Sequence, residues 1–279
     1  MNNMKLLLVY NPFSGKGKIS KIEELKKLLD DKYDITEFVS NGVGSITTYI
    51  ENIETTYDVI AIAGGDGTVN EAIKAISKLS YSPKIAVIPL GTMNDFSHYL
   101  HMSKNIKKTA QYIINANTKK HYIYKANDSI FVYGFALGIL SNVSYKNFKH
   151  KKLFGRLSYY FLAIKELFKS KKAKLVIYIN GEKIKDAFNL VLVSSTSRIA
   201  GYNVKESDDL TITLFKGIRI LFPFKLLWYF ITGHTQYKYN AKEFEIHSNL
   251  KDFNTDGEHN DTGRRIKVEK YKEFEFIKK

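Results

Sequence analysis

The feature that most constrains this chain is a repeat in its first third. An apolar run stops at a loop rich in glycine and asparagine, and a helix-patterned stretch follows. Residues 5–10 run into Asn11-Pro12-Phe13-Ser14-Gly15-Lys16-Gly17, residues 57–63 into Gly64-Gly65-Asp66-Gly67-Thr68, and residues 84–89 into Gly91-Thr92-Met93-Asn94-Asp95. Between them, Ile19, Ile22, Leu25, Leu28 and Leu29 recur at helical spacing over 19–29, and Val69, Ala72, Ile73 and Ile76 share a face over 69–79. Residues 34–39 predict a further strand and 43–53 a helix. Strands alternating with helices call for a parallel sheet covered on both faces. Loops that follow such strands lie at its carboxyl edge, where open α/β sheets bind ligands.

The pattern changes after about residue 125. Short strand-like runs occur at 130–137, 175–179, 188–194, 210–215, 244–247 and 266–268, interrupted by a basic amphipathic stretch at 157–169 that predicts a helix. This is the signature of a mostly antiparallel β domain. The expected fold class is α/β + β. A doubly wound α/β domain over 1–125 precedes a mostly antiparallel β-sandwich domain over 126–265, and a C-terminal segment, 266–279, can return to the first domain. A chain of 279 residues is long enough for both cores.

Composition narrows the function classes. There is no cysteine, which excludes disulfides, thiolate metal sites and thiol nucleophiles. The N-terminal apolar run is too short for a signal peptide. No apolar stretch reaches transmembrane length; the nearest, 218–231, is broken by Arg219, Pro223 and Lys225. The formal net charge of +15 invites an anionic partner, and residues 146–174 carry ten Lys/Arg against the single acid Glu166. No nucleic-acid motif accompanies that charge, so no nucleic-acid partner is expected. The mixture of Lys, Arg, Tyr, Phe and Leu over 145–172, and again over 218–229, suits an anionic membrane surface, although core packing accounts for most of those aromatics.

The glycine loops carry the chemistry. Three glycines at 64, 65 and 67 let the backbone approach a ligand closely, and the helix that follows presents N–H groups and a positive dipole end to phosphate. Thr68 can cap that helix or bond a phosphate oxygen. Asp66 would repel phosphate unless a metal or a hydrogen-bond network intervenes; as a plain turn residue it would bond its own backbone. Asn94 or Asp95 can be a helix cap. The first loop lacks the spacing of a Walker A motif. Asp256-Gly257 is a favoured hairpin pair, and such a turn can also present a catalytic carboxylate.

NPFSGKG, GGDGTVNE and PLGTMNDF, in this order, resemble the soluble diacylglycerol kinase family of bacteria, whose catalytic domain is shared by sphingosine and ceramide kinases and whose first domain is similar to that of 6-phosphofructokinases. KKLFGRLSYYFLAIKELF at 151–168 and TDGE at 255–258 extend the resemblance. It implies an ATP- and Mg2+-dependent lipid kinase that phosphorylates diacylglycerol to phosphatidic acid, cytoplasmic and peripherally bound to the inner face of the membrane, and it allows a homodimer. By the same resemblance Gly64, Gly65, Asp66, Gly67, Thr68, Val69 and Asn70 hold ATP with Asn11, Ser40, Gly91, Thr92, Asn94 and Asp95. Asp256 or Glu258 is the base, and Asp208, or its neighbour Asp209, is the metal ligand. The chain departs from the family pattern at Tyr122, where an Asp is usual, at Tyr133, where an Asn is usual, and in the shortened Ser207-Asp208-Asp209-Leu210 stretch. The alternatives are a soluble-substrate (NAD or sugar) kinase on the same fold, or a catalytically weakened nucleotide- or lipid-binding module.

Overall fold

The computed structural model describes residues 3–15, 19–138, 173–199, 201–204, 207–218, 221–235, 237–261 and 263–279. The chain divides into two units: Met1–Tyr122 with Lys272–Lys279, and Ile123–Tyr271. Strands β5 (Thr118–Ala126) and β18 (Arg265–Ile277) carry the chain from one unit to the other.

In the first unit the apolar runs become parallel strands in the order β2-β1-β3-β4: β1 (Met4–Tyr10), β2 (Tyr33–Val39), β3 (Val59–Gly64) and β4 (Lys84–Pro89). The last part of β18 joins beside β4, with Phe276 opposite Ile85. Alternate residues Leu6, Leu8, Val59, Ala61, Ala86 and Ile88 pack with α1 (Ile19–Leu29) and α5 (Ile106–Asn115). Their neighbours Leu7, Val9, Ile60 and Ile62 are also fully buried. The pleat sends these to the opposite face, so the sheet is covered on both sides, as continuous apolar strands require. Helices α2 (Ser45–Glu51) and α3 (Asp66–Ile76) follow β2 and β3. Helix α3 starts at Asp66, three residues before its apolar stripe, because Gly65 is extended and its carbonyl already accepts the Thr68 and Val69 N–H groups.

The second unit holds two larger antiparallel sheets and a two-stranded one, β11 (Arg198–Ile199) with β12 (Tyr202–Asn203). One runs β14-β13-β10-β7-β16-β17, from β14 (Tyr237–Ala241) through β13 (Leu210–Phe215), β10 (Leu190–Ser194), β7 (Gly134–Gly138) and β16 (Asp252–Thr255) to β17 (Glu258–Asp261). The other pairs the first part of β18 with β15 (Phe244–Ser248), then β8 (Ala173–Ile179) and β9 (Glu182–Phe188). Phe135 of the first sheet meets Phe244 of the second at 6.3 Å between ring centroids. The run at 130–137 is interrupted: β6 (Ser129–Phe131) and β7 are separate strands. The basic stretch 157–169 lies outside the described residues. A helix absent from the sequence reading, α6 (Phe222–Thr232), packs on the first sheet of this unit.

Candidate functional site

Four loops leave the carboxyl edge of the first unit's sheet, and hydrogen bonds knit them together. The Asn11 Nδ2 donates to the Thr68 Oγ1 at 2.9 Å, while the Asn11 Oδ1 accepts the Phe13 N–H at 3.0 Å. Ser14, a residue the site reading passed over, lies 3.3 Å from the Thr68 hydroxyl, and its Oγ accepts the Gly65 N–H at 3.3 Å. Thr68 therefore ties the first loop to the second instead of capping its own helix, whose cap residue, Gly65, has no side chain to contribute. The second and third loops touch backbone to backbone: a Cβ on Gly91 would lie 2.5 Å from the Gly65 Cα and 2.8 Å from the Asn94 Oδ1. Only glycine permits that approach.

Asn94 takes a left-handed conformation, φ 54°, and closes the third loop on itself. Its Oδ1 accepts the Gly91 N–H at 2.8 Å and its Nδ2 donates to the Gly91 carbonyl at 2.7 Å. Helix α4 (Asp95–Tyr99) follows. Asp66 serves that helix, not its own turn: its Oδ1 accepts the Phe96 N–H at 3.3 Å, and the N–H groups of Asn94 and Asp95 also donate to this carboxylate. Burial, with the Asp95 carboxylate alongside, outweighs these donors and pushes the Asp66 carboxyl up to about 7. Asp95 itself is buried. Val69 and Asn70 are buried in α3, and Thr92 is exposed. The Asp66 and Gly67 N–H groups open α3 with no hydrogen-bond partner among the described residues.

Ser40 is buried after β2, where it bonds Gly42 and lies 2.9 Å from the Ser45 hydroxyl. This loop reaches α3 through Glu71, whose Oε1 accepts the Gly44 N–H at 3.0 Å and the Thr47 N–H at 3.4 Å. Tyr122, at the end of this unit's share of β5, hydrogen-bonds the Glu273 carboxylate, which pushes the phenol upward; Lys120 pairs with the same carboxylate at 3.4 Å.

The second unit holds the other candidate carboxylate. Asp256 and Gly257 join β16 to β17 with φ 50° and 87°, the paired positive values of a type I′ turn. The Asn254 Oδ1 accepts the Gly257 N–H at 2.8 Å and braces the turn. Asp256 is buried, and three consecutive main-chain donors hold its carboxylate: Val132 N–H to Oδ2 at 2.6 Å, and Tyr133 and Gly134 N–H to Oδ1 at 3.0 and 2.8 Å. These donors carry no residue signature, so sequence reasoning had nothing by which to find them. Position 133 contributes its backbone whether Asn or Tyr stands there. Glu258 is half-buried at the start of β17. Asp208 is exposed, Asp209 pairs with Lys270 at 3.4 Å, and no cluster of three or more His, Cys, Asp or Glu able to hold a metal occurs among the described residues.

Residues 5–126 match the family profile described as diacylglycerol kinase catalytic domain. Diacylglycerol kinases of Staphylococcus epidermidis and Staphylococcus aureus are each 33% identical over 199 residues, which is 70% of this chain and 63% of theirs. The match thus spans less than two thirds of those relatives. The crystal structure of a putative diacylglycerol kinase from Bacillus anthracis str. Sterne is similar over 100% of this chain and 98% of that one, with a TM-score of 0.82 at 26% identity. A second structure of a putative diacylglycerol kinase from that strain gives a TM-score of 0.83 at 25% identity. Over residues 5–126, the chain is similar to the diacylglycerol kinase catalytic domain.

Proposed function

We propose that this protein is an ATP- and magnesium-dependent lipid kinase that converts diacylglycerol to phosphatidic acid at an anionic membrane surface on the cytoplasmic side. The observation that carries the reading is the loop cluster of the first unit. Two glycine loops in backbone contact leave no Cβ in the way of a ligand, and two N–H groups without a partner among the described residues open a helix beside them. That is a donor set for phosphate.

The residues fit both cofactors. Magnesium is commonly held by one or two carboxylates together with substrate phosphates and water. Asp66 and Asp95 are such a pair, and Asp208 is a separate candidate ligand. Bound magnesium would neutralise charge on the phosphates. The lipid hydroxyl oxygen forms a bond to the γ-phosphorus of ATP, the bond to the ADP oxygen breaks, and a carboxylate takes the hydroxyl proton. Asp256 is the base of choice because its backbone donors hold it in one orientation; Glu258 is the alternative.

A weakened nucleotide- or lipid-binding module is the second reading. It is favoured by Tyr122, whose hydroxyl is engaged by Glu273 where the family pattern has a carboxylate. The test is transfer from labelled ATP with magnesium to diacylglycerol in anionic mixed micelles, with Asp256→Asn alongside. Lipid phosphorylation that disappears in the variant supports the kinase and its base together. ATP binding without transfer to any lipid overturns the kinase in favour of the module.

A further inference from the structure

Helix α6 is apolar on both sides. Phe222, Leu226 and Tyr229 turn inward onto Leu190, Leu192, Ile199 and Phe215, and the Tyr229 hydroxyl lies 3.3 Å from the Thr213 Oγ1. Half a turn away on the same helix, Phe224, Leu227, Trp228 and Ile231 keep 49–71% of their surface in solvent. Their spacing, i, i+3, i+4 and i+7, makes them one continuous stripe. Ile218 and Leu221, just before the helix, are exposed as well and extend it. Scattered exposed apolar residues are ordinary, but a contiguous stripe of this size marks a surface that something covers.

We infer that this stripe is where the protein inserts into an anionic phospholipid bilayer. Three observations select that occupant. The helix has 11 residues, about half of what a membrane span needs, so it can lie in the interface but not cross. The helix itself contains no Asp or Glu and one charged side chain, the cation Lys225, a charge complementary to anionic headgroups. The exposed Lys225 lies within the helix with its Nζ donating to the Lys216 carbonyl at 2.6 Å, which keeps the cation beside the first turn while its apolar neighbours are left to enter the acyl region. The stripe also pairs Trp with aliphatic residues, as interfacial segments do. The inference rests on the lipid-kinase reading only for the identity of the occupant.

Trp228 is the only tryptophan in the chain, so its fluorescence reports on this surface alone. The full chain would be mixed with vesicles of phosphatidylcholine containing ~30 mol% phosphatidylglycerol, with and without brominated acyl chains. The expected result is a shift of emission to shorter wavelength and quenching by the brominated lipid, both weaker on phosphatidylcholine alone. Phe224→Ser combined with Ile231→Ser keeps the probe and should lower vesicle affinity by about tenfold or more. The same variant should phosphorylate a dispersed short-chain diacylglycerol at the wild-type rate. Protein that sediments with vesicles while Trp228 stays unquenched overturns the inference. So does a blue shift in lipid-free buffer that grows with protein concentration, which would assign the stripe to a second copy of the chain. Insertion of Trp228 without phosphorylation of any lipid would leave this surface standing and remove the kinase reading; transfer without insertion would do the reverse.

Discussion

The dipeptide Asp-Gly occurs once in each unit and adopts a different structure in each. Asp66-Gly67 enters a helix, because Thr-Val-Asn-Glu-Ala-Ile follows and supplies the apolar stripe that packs α3. Asp256-Gly257 turns a hairpin, because both residues take positive φ and the flanking strands pair Thr255 with Glu258. The carboxylates differ accordingly. Asp66 faces the start of a neighbouring helix, but burial and then the Asp95 charge alongside disfavour its ionised form. Asp256 is enclosed by three backbone N–H groups from a single stretch, 132–134. Both aspartates accept three consecutive backbone N–H groups, from 94–96 and from 132–134, and Asp66 is set beside a like charge as well. That contrast suits a residue that works with a cation and a residue that must stay in one place.

The largest expected effect falls on the hairpin. Asp256→Asn should reduce phosphoryl transfer by about 10²–10⁴-fold, the usual range for removing a general base. It should also destabilise the second unit by roughly 1–3 kcal/mol, since an amide nitrogen would face a backbone N–H. Kinetics beside thermal unfolding, with ATP binding unchanged, checks both; a fully active variant would end the comparison.

Gly91→Ala attacks the other half. Its Cβ would meet the Gly65 backbone at 2.5 Å as well as the Asn94 Oδ1 at 2.8 Å, and the backbone cannot turn aside, so the variant should lose roughly 1–3 kcal/mol of stability and bind ATP more weakly. Calorimetric titration with ATP is the measurement. Unchanged affinity would mean that the contact between the two glycine loops plays no part in nucleotide binding.

Asp66→Asn sharpens the contrast through pH. The Asp66 carboxyl rises from 3.8 to about 7 in the folded state, so between these values the native protein keeps a proton that the unfolded chain has released. Its contribution to stability is complete below about pH 4 and lost as pH rises through 7. In metal-free buffer at pH 8 the Asn variant should be more stable than the parent by about 1–3 kcal/mol, and the slope between pH 4 and 7 should flatten. An unchanged slope in denaturant titrations would show that burial and the Asp95 charge do not raise the Asp66 carboxyl.

Glu269 is the control. Lys125 and Lys267 hold it down at about 2, so its contribution is present above pH 4.5 and fades as pH falls toward 2. The pair is close to solvent, and Glu269→Gln should cost less than about 1 kcal/mol. A larger loss in urea unfolding would mean that surface pairs rival the enclosed carboxylates.

Much of the first unit could be read from residue order. Strands β1, β3 and β4 are apolar throughout because both faces are buried, and such runs stand out. Helices α1 and α3 carry clear stripes. Strand β9 is hard to read although Asn180-Gly181 announces its hairpin, because Glu182, Lys183, Lys185 and Asp186 make it mostly charged at a sheet edge, where charge guards against pairing with another chain. Helix α6 was missed because a helix apolar on both sides has no stripe to count. Within the site, the glycines, Asn11 and the Asp-Gly pairs stood out by residue type. Ser14 and Glu71 did not, since neither type marks a loop brace until its partner is near.

From its sequence alone, this protein has a parallel α/β unit with glycine loops at its ligand edge, a β-rich second unit and a basic surface. Apolar periodicity, glycine placement and charge are properties of local chain and composition, so they survive without coordinates. Tertiary structure decided the rest: that Gly65 and Gly91 touch, that Asp66 braces a foreign helix beside Asp95, that residues 132–134 turn their N–H groups to Asp256, and that one side of α6 remains in solvent. Each of these joins positions distant in sequence or depends on main-chain groups that every residue shares, and only the folded chain brings them together.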